Sequence, residues 1–165
     1  MIDVLFVGNF LSKRKGTYPV SEGVSKQLKI KGLTTQLCSS INNQFLRLID
    51  VIISSLLVRY RIMHIDIYSG PAFIISEFSS KIAKLRNKKI IMTLHGGNLS
   101  VFFKANRDRI ECVFNRADYI QTPSLSLQQF FLENGFKINY LPNPIDLKNF
   151  PFQRKDVKSK SLLWV

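Results

Sequence analysis

Residues 62–94 read IMHIDIYSGPAFIISEFSSKIAKLRNKKIIMTL, and this stretch decides the fold. Two short apolar runs, at 62–68 and 89–94, flank a longer segment at 71–86 whose apolar side chains recur at three- and four-residue spacing. Short isoleucine-rich runs are typical of buried parallel strands. The middle segment opens with Pro71 and has the spacing of an amphipathic helix. The stretch therefore predicts a strand, a crossover helix and a second, parallel strand.

The same alternation extends along the chain. Further strands are predicted at residues 2–8, 33–38, 119–122 and 138–141, and further helices at 20–31, 45–58, 99–116 and 124–134. This order predicts an α/β fold over residues 1–142, a doubly wound, Rossmann-like parallel sheet with helices on both faces.

The helix at 45–58 is the most apolar of the set. Its three-four spacing predicts a stripe that packs on the sheet, made of Phe45, Leu48, Ile49, Ile52, Ile53 and Leu56. Four apolar residues lie off this stripe, and we expect them to be buried against the sheet and a neighbouring helix: Leu46, Val51, Leu57 and Val58.

Composition excludes several classes of protein. The chain has 165 residues, a formal net charge of +13 and 45% hydrophobic residues, which excludes a disordered chain. Cys38 and Cys112 have no metal-ligand spacing, so we expect buried free thiols and no metal site. The N-terminus does not resemble a secretory signal, and 45–58 is shorter than the ~20 residues that span a bilayer. These features predict a cytoplasmic protein.

Small and polar residues follow the predicted strands. The carboxyl ends of parallel strands share one edge of a sheet, where ligands bind, and glycines there allow close approach. The sequence predicts substrate contacts at Gly16, Thr17, Tyr18, Ser69, Gly70, Gly96, Gly97, Asn98, Ser124 and Asn143.

Three side chains near this edge could carry chemistry. His95 ends a strand and precedes Gly96 and Gly97, which predicts a ligand contact. His64 lies earlier in its strand, so we expect a structural role. Asp66 shares a face with His64, and it either points into the cleft or caps a neighbouring loop.

The usual cofactor motifs are absent from the sequence. It has no G-x-G-x-x-G, no phosphate-binding P-loop and no G-x-S-x-G, so a nicotinamide dehydrogenase is not expected and no cofactor is predicted. Most basic residues follow helix C-termini, where they complement the helix dipole. Lys13, Arg14 and Lys15 instead lie on the cleft edge, which predicts contact with an anionic ligand or a membrane.

Four segments, at residues 68–73, 91–98, 117–124 and 141–146, together resemble the N-terminal domain of a bacterial-type family 4 glycosyltransferase of the GT-B fold. The resemblance implies retaining transfer of a sugar, in cell-surface polysaccharide biosynthesis, from a nucleotide-sugar co-substrate to a glycan or lipid-linked acceptor. It implies that His95 is the catalytic histidine that touches the donor sugar. The loop at 16–21 is similar to the family's glycine-containing loop but has only Gly16, and Pro144 replaces a family glycine.

The resemblance also implies a domain organisation. Residues 143–160 would be a linker and 161–165 the first strand of a truncated C-terminal nucleotide-sugar domain, so we expect the chain alone to be inactive. The implied partners are an acceptor glycan or glycolipid, the missing domain and the inner membrane face, contacted peripherally, with no nucleic acid. Two alternatives stay open: a single-domain flavodoxin-like protein that binds phosphate or a small molecule, and a nucleic-acid-binding module.

Overall fold

A computed structural model describes residues 1–8, 10, 19–38, 41 and 43–144. In this part of the chain six strands form one all-parallel sheet in the order β2-β1-β3-β4-β5-β6. The strands are β1 (Ile2–Val7), β2 (Thr35–Cys38), β3 (Tyr60–Ile67), β4 (Lys89–Leu94), β5 (Tyr119–Thr122) and β6 (Asn139–Tyr140). This confirms the predicted α/β, Rossmann-like parallel sheet, and the order of the first five strands is flavodoxin-like.

Helices cover the sheet unequally. The described helices are α1 (Val20–Ile30), α2 (Gln44–Leu57), α3 (Phe73–Leu85), α4 (Leu99–Ala105), α5 (Arg107–Phe114) and α6 (Leu125–Glu133). The chain passes from β1 to β2 in one direction and makes every later crossing in the other. Right-handed crossovers therefore place α1 on one face and α2–α6 on the opposite face. The predicted helix at 99–116 is divided into α4 and α5 at Asn106.

Two apolar clusters follow from this arrangement. Val24 and Leu28 of α1 pack with Val4 and Phe6 on the α1 face. The larger core lies on the other face, where β3 and β4 contribute fully buried side chains at alternate positions. It includes five phenylalanines whose ring centroids lie 5.1–6.1 Å apart: Phe103, Phe114, Phe130, Phe131 and Phe136.

Helix α2 corrects the prediction for its apolar stripe. The residues that α2 buries are Arg47, Val51 and Ser55, two of them polar. Four residues of the predicted stripe are exposed: Phe45, Ile49, Ile53 and Leu56. Off the stripe, Val51 is buried and Val58 half-buried as expected, whereas Leu46 and Leu57 are exposed. Spacing identified the apolar side of the helix, but polar anchors hold the opposite side against the protein.

Three further predictions concern the cysteines, a membrane span and the C-terminal segment. Cys38 is buried as expected, but Cys112 is exposed, on the outer side of α5. Among the described residues, no helix is long and apolar enough to cross a bilayer. The predicted linker and final strand lie outside the described residues, except for Asn143 and Pro144.

Candidate ligand site at the carboxyl edge of the sheet

The strand order identifies where a ligand site is expected. The connections from β1 and β3 leave the sheet in opposite directions, and such a switch point opens a crevice at the carboxyl ends of the two strands. Gly8 follows β1 at this point, and Asp66 occupies the last but one position of β3.

Asp66 is the centre of a polar cluster. Its residue exposure is only 4%, and its Oδ1 accepts a hydrogen bond from Ser21 Oγ of α1 at 2.6 Å. The same Oδ1 lies 3.1 Å from His95 Nε2. Within the described ranges, Oδ2 has no hydrogen-bond partner. Asp66 therefore connects α1, β3 and the segment after β4, which agrees with the prediction that it could face the cleft.

Gly8 makes this position of Asp66 sterically possible. A Cβ atom on Gly8 would lie 2.6 Å from Asp66 Oδ2, closer than real Cβ contacts. The absence of a side chain lets the carboxylate approach the end of β1.

His95 is held on three sides. Its backbone N–H donates to the Ile67 carbonyl at 2.9 Å, and its ring stacks on Tyr68 with centroids 5.3 Å apart and planes 19° apart. Because a carboxylate only accepts hydrogen bonds, Nε2 carries the proton that it shares with Asp66. Nδ1 is then the ring atom left for a ligand, on a side chain that is 15% exposed.

Tyr68 supports the ring without adding charge. Burial and, to a smaller extent, the charge of Asp66 raise the pKa of the Tyr68 phenol. The hydroxyl is therefore neutral at physiological pH, and its contribution to His95 is a stacked, uncharged surface.

A second row of polar side chains crosses three strands on the same face. Gln121 Nε2 donates to Thr93 Oγ1 at 3.0 Å, and Thr93 Oγ1 lies 2.9 Å from His64 Nε2. Thr93 Oγ1 already accepts from Gln121, so we assign the Thr93 hydroxyl as the donor to His64 Nε2. The proton of the neutral His64 ring is then on Nδ1. Burial lowers the pKa of the His64 imidazole, more than Asp66 raises it. His64 is thus a neutral, structurally bonded histidine, as the sequence predicted.

Backbone donors lie beside His95. Gly96 has φ = +89°, a left-handed conformation that favours glycine. In the described part of the chain, the N–H groups of Gly96, Gly97 and Asn98 donate to no acceptor. This segment can therefore offer consecutive N–H groups to a ligand.

The other predicted contacts are distributed along the edge. Ser69 and Gly70 directly follow β3 and Tyr68. Ser124 caps α6 by accepting from Leu127 N at 3.3 Å. Asn143 follows β6, which is three strand positions from β3 in the sheet. At the usual spacing of neighbouring strands, β6 and β3 are about 14 Å apart. Gly16, Thr17 and Tyr18 fall outside the described residues, as do Lys13, Arg14 and Lys15. Substrate contact at all these positions stays a prediction.

Sequence reasoning missed the roles of Ser21, Thr93 and Gln121. Alternation along the chain predicts only that His64 and Asp66 share one face of β3 and that Thr93 and His95 share one face at the end of β4. The missing information was the register, in which Asp66 is opposite Thr93 and Thr93 is opposite Gln121. No described group of three or more His, Cys, Asp and Glu side chains is arranged to hold a metal ion.

Comparison with known proteins identifies no family. No family model matches the chain, and no curated protein matches it. Among solved structures, it is similar to a CheY-like response regulator receiver domain protein from Methanospirillum hungatei JF-1, with 12% identity and a TM-score of 0.44, over 91% of this chain and 88% of that one. At these values the likeness carries no inference about activity.

The predicted glycosyltransferase function is corrected by these findings. No family model or curated protein supports it, and the observed order of strands suits the flavodoxin-like alternative better. The family resemblance, enzymatic activity, the implied second domain and its acceptor partners stay predictions from the sequence.

Proposed function

We propose that this domain binds a small molecule through a phosphate or similar anionic group at the carboxyl edge of β1, β3 and β4. The observation that carries the proposal is the Asp66–His95 pair, set at the switch point of the sheet and followed directly by backbone donors that have no acceptor among the described residues.

The chemistry of the pair suits an anion. Asp66 occupies Nε2 of His95, which leaves Nδ1 as the ring atom for a ligand, and a ring with protons on both nitrogens can donate from Nδ1 to an anion. Charge-assisted hydrogen bonds of this kind are about twice as strong as neutral ones. Asp66 acts as a positioning residue, because its own carboxylate is buried and already accepts from Ser21.

The segment after His95 supplies the remaining donors. The backbone N–H groups of Gly96, Gly97 and Asn98 carry no charge and are exposed enough for a ligand to reach. An anion held there would contact His95 and the glycines together.

Calorimetric titration with inorganic phosphate, adenosine monophosphate and uncharged adenosine tests the proposal. We expect the two phosphates to bind and His95→Ala to weaken them about tenfold or more, since a charged hydrogen bond is lost. His64→Gln is the matched control, because that histidine faces Thr93 and not the loop. It should change the affinity less than about threefold.

Nuclear magnetic resonance provides a second readout. On addition of phosphate, the amide signals of Gly96, Gly97 and Asn98 should shift more than those of the C-terminal end of α1. The proposal is wrong if neither phosphate binds the parent chain, or if His95→Ala binds phosphate as tightly as the parent does.

A further inference from the structure

The exposed side of α2 is almost entirely apolar. Six large apolar residues are exposed on this helix, from Ile49 at 38% to Leu57 at 75%, and the only other exposed residue is Gln44. We call this surface the α2 face: Phe45, Leu46, Ile49, Ile53, Leu56 and Leu57. An apolar patch of this extent is unusual on a protein surface unless something covers it.

Polar contacts on the opposite side hold the helix in this orientation. Arg47 Nε donates to the Ile41 carbonyl at 2.7 Å, and the Ser55 carbonyl accepts from Arg86 Nη1. At the N-terminus, Asn43 Oδ1 accepts from the backbone N–H groups of Phe45 and Leu46. Turning the apolar side inward would move the Ser55 carbonyl away from Arg86 and break that bond, so the apolar side stays outward.

The apolar surface continues onto the neighbouring helix. α2 and α3 pack side by side on the sheet, and Ile74, Phe78 and Leu85 of α3 are also exposed. Helix α1 is different, because its exposed side includes Lys26, Gln27 and Lys29. Exposure of apolar side chains is therefore a property of this side of the molecule and not of all its helices.

The exposed charges around the α2 face are basic, while Asp50 of α2 is half-buried. Arg59 follows α2, Lys81 lies between Phe78 and Leu85 on α3, and Lys88 lies 5.8 Å from the Tyr60 ring. No acidic residue is exposed on α2 or α3. Glu77, the one glutamate of α3, is paired with Arg109 of α5. The whole chain carries a net charge of +13.

We propose that the α2 face docks on an anionic lipid surface, with α2 lying in the plane of the headgroups. A helix with an apolar side and neighbouring basic residues binds membrane interfaces by combining apolar burial with attraction to acidic headgroups. A second copy would bring another net charge of +13 against the same basic rim, which opposes self-association. The proposal does not depend on the ligand site.

Vesicle sedimentation tests the proposal with phosphatidylcholine vesicles and with vesicles of phosphatidylcholine mixed with phosphatidylglycerol. We expect the parent to bind the mixed vesicles and Ile49→Gln/Ile53→Gln to bind them about tenfold more weakly or worse. The matched control is Ile30→Gln/Leu125→Gln, which changes two exposed apolar residues on other helices. It should bind like the parent. Arg59→Gln/Lys81→Gln should weaken binding and reduce its dependence on salt.

A fluorescence experiment tests the same face without removing it. Trp164→Phe/Ile53→Trp places the single tryptophan on α2, and lipids brominated on the acyl chain should quench it in mixed vesicles. The proposal is overturned if this tryptophan is not quenched, or if Ile49→Gln/Ile53→Gln binds vesicles as the parent does. It is also overturned if the parent sediments as a dimer in solution and does not bind mixed vesicles, which would assign the face to a second copy.

Discussion

At the scale of single residues, the site depends on the smallest side chain in it. Gly8 directly follows β1 and lies against the buried carboxylate of Asp66. At every other described glycine, an added Cβ would have no neighbouring atom within 4 Å. A carboxylate packed this closely against backbone has little room to move, because Ser21 and His95 already hold its other oxygen.

Gly8→Ala should therefore lower the free energy of unfolding by about 1–3 kcal/mol, as overpacking does. It should also displace Asp66 from His95 and weaken phosphate binding. Urea denaturation measures the first effect and calorimetry the second. Gly23→Ala is the matched control, since Gly23 lies in α1 with open space around it. That change should stabilise the chain by roughly 0.5–1 kcal/mol. Equal effects of the two changes would contradict the steric argument.

At the scale of elements, the end of α2 is held by side chains from outside the helix, chiefly Arg86. Arg86, directly after α3, donates from Nη1 to the carbonyls of Ser55 and Val58. Its guanidinium lies 5.1 Å from the centroid of the Tyr60 ring, and the Tyr60 hydroxyl donates to the Ser55 carbonyl at 3.2 Å. The last carbonyls of a helix lack partners within the helix, so this arginine satisfies groups that would otherwise be buried unpaired.

Arg86→Met should lower the free energy of unfolding by about 2 kcal/mol, because the apolar stem is kept while the charged donor is lost. Thermal and urea unfolding both measure this. Arg107→Met is the control, since Arg107 forms an exposed pair with Glu111 four residues later. It should cost about 0.5 kcal/mol or less. If the control loses as much stability as Arg86→Met, capping of α2 is not the cause.

At the scale of the whole molecule, a row of polar side chains crosses the middle of the sheet. His64, Thr93 and Gln121 join three strands on the face that carries α1. Burial lowers the pKa of His64 in the folded chain, while Asp66 and His95 are the charged groups that face it. Below the unfolded pKa of about 6.5, the unfolded chain binds a proton that the folded chain resists, so acid favours unfolding.

The contribution of His64 to the free energy of unfolding should thus be constant above about pH 7.5 and fall as the pH decreases below about 6.5. His64→Gln should be less stable than the parent at neutral pH but should lose less stability between about pH 7 and pH 5. Urea unfolding of both chains across this range measures the difference. Parallel pH profiles would show that His64 is not the group responsible.

The class of fold could be predicted from the sequence because it depends on local periodicity. Apolar runs of strand length alternate with segments of helical spacing, and within the described residues these runs have the strands and helices that their periods indicated, except that the segment at 99–116 forms two helices. The position of His95 at the sheet edge followed from the same pattern, since the residue after a strand lies at its carboxyl end.

Tertiary structure decided which of these elements meet. Only the strand order places Gly8 of β1 beside Asp66 of β3, with His95 completing the cluster from the adjacent β4. The orientation of α2 was decided in the same way. Periodicity shows which of its residues share a side, but the bond from Arg86 to the carbonyl of Ser55, a distant partner in the chain, determines which side faces the protein. Long-range contacts of this kind leave no periodic pattern, which is why the sequence determined the elements and the fold determined the site and the exposed apolar face.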